Sequence, residues 1–144
     1  MIIIRVGRSK VRSEYEQRLA GGFKIKEQIV SQSRLPSREG RIREEGERIL
    51  KSAKGCFLVV LDEHGKRMKS VEFAHWIQEH LNQGDRLCFV IGGPDGVSDE
   101  VKEHADCLLQ LSDFTLQHDL AYLVLVEQLY RAQTIIQGQP YHRE

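Results

Sequence analysis

Several things are scarce in this chain. Its 144 residues include three Pro, two Met, one Trp and three Cys. Cys56, Cys88 and Cys107 are odd in number, far apart, and each set in or beside an apolar stretch. That excludes a disulfide framework and the paired Cys or Cys/His spacing of a zinc site. It predicts buried free thiols in a reducing compartment, and no metal. No apolar run approaches the roughly 20 residues of a membrane span. Met1 to Gly7 lacks the layout of a signal peptide. The expected location is the cytoplasm, with no membrane partner. Also missing are an internal repeat, a low-complexity tract, a Ser-His-Asp or Cys-His order, and a carboxylate pair set for acid–base work.

Apolar residues make up 40% and charged residues 29%, as in ordinary globular proteins. The length suits one domain, residues 1–144, with a real core. The net charge is zero, yet it is unevenly spread. Residues 1–54 hold 14 Lys+Arg against 7 Asp+Glu, and the remainder holds the reverse. A basic N-terminal half points to a polyanion partner.

Along the chain, Ile2-Ile3-Ile4 and Val6 predict a buried strand ended by Gly7. Ser13 is a candidate cap for a helix through Glu14–Leu19, ended by Gly21-Gly22. Phe23, Ile25, Ile29 and Val30 predict a second strand. Residues 31–43, polar and basic with Pro36 and Gly40, read as a mobile loop. Arg34, Arg38, Arg41 and Arg43 fall in it. A helix follows over Glu44–Ala53, with Ile42, Ile49 and Leu50 as core contacts.

Cys56–Leu61 is a continuous apolar run, the mark of a strand covered on both faces. Asp62–Lys66 should break it into a loop. Ser70 is a candidate cap for a helix that turns Phe73, Trp76, Ile77 and Leu81 to the core. Leu87–Ile91 is another covered strand. Gly92-Gly93-Pro94-Asp95-Gly96 then form a tight turn. Ser98 caps a helix opened by Asp99 and Glu100, and Leu108–Leu111 is a last short strand.

Alternation of this kind implies an α/β fold, a mostly parallel sheet with helices on both faces. Ligands on such sheets bind outside the carboxyl ends of strands. The loops after Leu61, Ile91 and Leu111 qualify. His118 and Asp119 open the final helix, with Asp119 as its candidate cap. His64, His75, His80 and His104 read as surface residues. The last helix carries Leu120, Leu123, Val124, Leu125, Val126, Leu129, Ile135 and Ile136 on more than one side, which predicts cover from a second subunit. Gly138 ends it, and a polar tail closes with Tyr141, His142, Arg143 and Glu144.

Several stretches together resemble the ribosomal RNA large-subunit methyltransferase H family. They are IGGPDG at 91–96, LSDFTLQH at 111–118, LVEQLYRA at 125–132 and PYHRE at 140–144. Earlier pieces fit too: the VGR near the start, EYEQRL, EGERIL at 45–50 and LDEHGK at 61–66.

The resemblance implies a SPOUT-type fold with a C-terminal trefoil knot, and a homodimer. It implies S-adenosylmethionine-dependent methylation of N3 of a pseudouridine in large-subunit (23S) ribosomal RNA on the ribosome. The alternative within the class is an RNA-binding protein or RNA methylase with a shifted target. Carried over, the cofactor pocket is Leu61, Gly92 with Gly93 beside it, and Leu111, Ser112, Asp113, Phe114, Thr115 and Leu116. Catalytic candidates are His118, Tyr141, His142 and Arg143. Arg34, Arg38 and Arg41 are the candidate RNA contacts.

Two positions depart from the family pattern. Gln117 stands where relatives carry Pro before the His, and a looser loop is expected. Tyr122 stands where they carry Arg, and a cation near the RNA site is expected to be missing.

Overall fold

A computed structural model describes residues 1–144. Ten elements alternate along the chain. They are β1 (Ile2–Val6), α1 (Tyr15–Leu19), β2 (Lys26–Val30), α2 (Arg38–Ser52), β3 (Phe57–Arg67), α3 (Ser70–Asn82), β4 (Leu87–Ile91), α4 (Asp99–His104), β5 (Cys107–Gln110) and α5 (His118–Ile136). The five strands form one sheet in the order β2-β1-β4-β3-β5. Every pair is parallel. No helix is long and apolar enough to cross a membrane.

Strand side chains alternate between faces, and both faces are covered. Ile3, Val59, Leu87, Phe89 and Ile91 pack on one side against Phe73 and Ile77 of α3, Leu19 of α1, and Tyr122, Leu125 and Leu129 of α5. Ile2, Ile4, Leu58, Val60, Cys88 and Val90 pack on the other against Ile49 of α2 and Val101 of α4. Each large apolar side chain fully buried this way contributes about 1.5–3 kcal/mol. The continuous apolar runs at 2–4, 57–61 and 87–91 are therefore required by a sheet with helices on both sides.

Several boundaries differ from the sequence reading. The segment 31–43 is a loop only to Ser37. The Ser37 hydroxyl accepts from the Gly40 amide at 3.0 Å and starts α2 at Arg38. The polar helix start had no apolar periodicity to mark it, but Pro-Ser followed by an acid in the first turn is a cap signal. Asp62–Lys66 does not end β3. The strand runs to Arg67, with both Leu61 and Lys66 aligned to Leu109 across an irregularity. Gly65 allows this, since a Cβ there would lie 2.6 Å from the backbone carbon of Leu108.

At α3, the amide of Lys69 is capped by the Glu72 carboxylate at 3.0 Å. Ser70 instead donates to Gln128 of α5 at 2.8 Å. Leu81 is exposed rather than in the core, and Phe23 and Ile25 precede β2 rather than joining it. His80 is not a surface residue. It is half-buried, with its ring against Phe57 and Trp76 and its Nδ1 2.7 Å from Asp85.

Candidate active site

β4 and β5 end beside the irregularity in β3. A cleft of about 1300 Å³ opens there, lined by the glycine turn, the loop 111–117 and the first turns of α5. Of the sequence candidates, Leu61, Gly92, Gly93, Leu111, Ser112, Phe114, Thr115, Leu116 and His118 all line it. Asp113 does not: it turns outward into an ion pair with Arg67.

The turn is built by its own packing. Gly96 has a positive φ of 88°, and its amide donates to the Gly93 carbonyl at 3.0 Å. A Cβ on Gly92 would meet the Val97 side chain at 2.6 Å, and one on Gly93 would meet Val6 at 3.1 Å. The glycines are thus needed by the fold before any ligand arrives. Asp95 ties the turn to α2. Its carboxylate accepts from Arg41 Nε at 2.9 Å, and its carbonyl accepts from Arg38 at 3.1 Å. The Arg41 hydrogen bond holds the Asp95 carboxyl below its ordinary pKa.

The loop is held by short local bonds. The Ser112 hydroxyl accepts from the Phe114 amide at 3.0 Å, and Thr115 donates to Glu63 at 3.1 Å. Phe114 is 82% exposed at the mouth. Gln117, not Asp119, caps α5: its side-chain oxygen accepts from the amides of Asp119 at 3.0 Å and Leu120 at 3.4 Å. Its φ of −62° is the value a Pro would impose. The expected loosening is replaced by a cap that a Pro cannot supply.

His118 is half-buried at the inner wall. Its Nδ1 lies 3.2 Å from Asp119 Oδ1, and its Nε2 lies 3.3 Å from the Gln117 amide nitrogen. Behind it sits Arg5, which sequence reasoning passed over. Arg5 is 4% exposed. It donates to Glu27 at 2.8 Å and to Asp119 at 3.1 Å. Its guanidinium carbon is 3.8 Å above the ring of Tyr122, whose hydroxyl donates to Glu16. Burial, then Glu16, pushes the Tyr122 hydroxyl pKa up. The departure at 122 therefore leaves a cation in this region after all, delivered from β1. The available signal was a single Arg inside an apolar central strand, which must be paired to be buried.

Other candidates lie elsewhere. Tyr141, His142 and Arg143 do not line the cleft of their own chain. The Tyr141 hydroxyl lies 2.9 Å from Glu127 and 3.1 Å from the Tyr15 hydroxyl. His142 Nδ1 is 3.1 Å from Arg131, while Arg143 is exposed. Of the three candidate RNA contacts, Arg34, Arg38 and Arg41, only Arg38 reaches the rim, where Arg43 and Lys102 also lie. Arg34 is exposed outside the cleft. Arg41 is occupied by Asp95 and by the carbonyls of Leu35 and Pro36. No three His, Cys, Asp or Glu side chains converge as metal ligands.

Comparison with known proteins bears on this geometry. Residues 3–142 match the family model described as a predicted SPOUT methyltransferase. A protein of Neisseria meningitidis serogroup C is 48% identical over 101 residues, covering 69% of this chain and 65% of that protein. One of Bacteroides fragilis is 47% identical over 108 residues, covering 74% of this chain and 69% of that protein. Both bear the name ribosomal RNA large subunit methyltransferase H. The chain thus spans just under two thirds of the length of the Neisseria relative.

Among solved structures, a probable methylase family protein from Haemophilus influenzae superposes with a TM-score of 0.59 at 11% identity, over 99% of this chain and 70% of that one. A probable methyltransferase from Bordetella pertussis gives 0.57 at 15% identity, over 92% and 95%. At such identities the likeness is one of fold. Taken with the family match across almost every residue, the chain belongs to the SPOUT methyltransferases, in the ribosomal RNA large subunit methyltransferase H family.

Proposed function

We propose that this chain transfers a methyl group from S-adenosylmethionine to N3 of a pseudouridine in large-subunit ribosomal RNA, in the cytoplasm and as a homodimer. The observation that carries the reading is the meeting, in one cleft, of the glycine turn, the loop 111–117 and an imidazole at the mouth of α5. The names of the Neisseria and Bacteroides relatives support the substrate class. The knotted threading of the C-terminal segment belongs to the same reading.

The donor set fits the cofactor. Leu61, Leu109, Leu111 and Leu116 offer an apolar slot for a purine, and the turn and loop offer backbone donors and acceptors around it. S-adenosylmethionine bound there supplies an electrophilic methyl carbon. The residues of this chain supply the rest. The imide N3 must lose its proton to become a good nucleophile, and His118 is the one imidazole lining the cleft, the side-chain type most often used as a general base. Arg38, Arg43 and Lys102 on the rim, with Arg34 beyond it, face the phosphates; Arg41 holds the turn instead.

Tyr141, His142 and Arg143 act in the cleft of a second copy. Two exposed apolar side chains near the cleft support such a partner: Phe114, and Leu120, which is 52% exposed.

The test is twofold. Calorimetry should give S-adenosylmethionine binding without added metal. Mass spectrometry should detect one methyl per large subunit when ribosomes lacking the modification are incubated with protein and cofactor. Cofactor binding without methylated RNA would leave the fold assignment and remove the target.

A further inference from the structure

His118 is flanked by Gln117 on one side and by Asp119, backed by the buried Arg5, on the other.

Three observations converge there. Asp119 Oδ1 lies within hydrogen-bond reach of His118 Nδ1, at 3.2 Å. The same carboxylate oxygen accepts from the buried Arg5 at 3.1 Å. On the far side of the ring, the Gln117 amide nitrogen stands 3.3 Å from Nε2. A carboxylate only accepts, so Nδ1 must carry the proton. A side-chain NH₂ only donates, so Nε2 must present a lone pair. Both neighbours select one tautomer.

We infer that Asp119, anchored by Arg5, is a positioning residue that holds His118 in the Nδ1–H tautomer, with the Nε2 lone pair as the cleft's proton acceptor. The inference rests on the proposed reading for its consequence, and on the geometry alone for the tautomer. The N3–H group must first displace the Gln117 amide nitrogen from that lone pair; as its proton then moves to Nε2, the ring becomes a cation whose charge is balanced by Asp119 at Nδ1. The carboxylate itself takes no proton.

The surrounding charges keep Asp119 ionised for this role. Ser9 favours its charged form most, and His118 and Arg5 add positive charge. Together they hold its carboxyl below the ordinary range. Arg5 is kept in place by Glu27 of β2, which also pairs with Arg12 at 3.5 Å. Beneath it lies Tyr122, bonded to Glu16 of α1. No second cation besides Arg5 forms an ion pair with Asp119, apart from His118 itself.

The test uses Asp119→Asn and Asp119→Glu in the full chain, because Asp119 is partly exposed and Glu27 still pairs the buried Arg5 in both variants. Nitrogen-15 spectra of the His118 imidazole should give a protonated Nδ1 and a bare Nε2 in the unaltered protein. In Asp119→Asn, where Gln117 and a weaker amide acceptor remain, the Nδ1–H population should fall. An unaltered protein with the proton on Nε2 overturns the inference.

Turnover of Asp119→Asn should fall about 100-fold, with cofactor affinity within about twofold. Its loss should not add to that of His118→Ala, and Asp119→Glu should recover most of the rate. Full turnover in Asp119→Asn also overturns the inference, while leaving the proposed reaction standing. If the unaltered protein methylates no ribosome, the reaction falls, and the spectra still decide the tautomer.

Discussion

Arg5 carries the only charge in β1, and its neighbours explain why it is tolerated. Two carboxylates accept from it and an aromatic face lies 3.8 Å below. Removing it would leave Glu27 with only the exposed Arg12, 3.5 Å away, and Asp119 with only His118. We predict that Arg5→Ala costs about 3 kcal/mol of stability, the usual result of breaking a buried pair from one side. Arg5→Lys should recover only part, since one ammonium cannot copy a fork that reaches both acids and stacks on a ring. Urea unfolding measures both; an Arg5→Ala protein as stable as the parent would refute the network.

Acid should act on the same scale. Asp95 and Asp119 both have folded pKa values below those of a free Asp, which is about 3.9. Their contribution is fully present above that value and is lost as pH falls through the lower folded values. The denaturation midpoint should therefore drop below about pH 4. Asp95→Asn should flatten part of the drop, and an equal drop in that variant would count against the Arg41 contact. Single residues were the least legible level in the sequence. Gln117 looked like a loss because a Gln cap is unusual, and Tyr122 looked like a missing cation because the replacement comes from a strand 117 residues earlier.

Among the elements, α5 was read correctly in extent and only partly in its faces. Its end is set by a left-handed Gly138, with the Gln139 amide donating to Thr134 at 2.8 Å and the Gly138 amide to Ile135 at 3.2 Å. Apolar residues on several sides suggested a partner. Much of that surface is taken up inside one chain, because α5 lies over the sheet between α1 and α3.

Leu125 is 0% exposed, so it cannot report on a dimer. Leu125→Ala should cost about 2–5 kcal/mol by opening a cavity. Leu120→Asp should instead leave the thermal midpoint within a few degrees and halve the mass seen by light scattering. A Leu120→Asp protein that remains dimeric would move the contact elsewhere. Strands were legible because covered strands must be apolar throughout. The start of α2 and the far end of β3 were not, because there a cap and a glycine contact decide, and neither leaves an apolar pattern.

At the scale of the whole molecule, the tail and the cleft stand apart within one chain, and this makes a quantitative test possible. Tyr141 is locked to Glu127 and Tyr15, and its ring packs on Tyr130 at 4.8 Å between centroids. Deleting 141–144 would therefore disturb packing as well as chemistry, and a truncation would mix two effects. Point variants avoid this. Arg143 is exposed, so Arg143→Ala should leave folding intact, and His118→Ala changes only the wall of the cleft.

If each working site joins the cleft of one copy to the tail of its partner, each variant alone is inactive. Co-expressed in equal amounts, the two should pair at random. About half the dimers are then mixed. In a mixed dimer one site has both defects and the other has neither, so roughly a quarter of the parental sites return. Methyl incorporation into ribosomes by the unfractionated mixture reads this directly. Recovery near a quarter supports a site shared between copies. No recovery, with each variant inactive alone, would mean that His118 and Arg143 serve the same cleft of one chain, and the tail must then leave its place beside Tyr15 and Glu127 to do so. Full activity in Arg143→Ala alone would take the tail out of the chemistry and leave His118, with Asp119 and Arg5 behind it, as the acceptor.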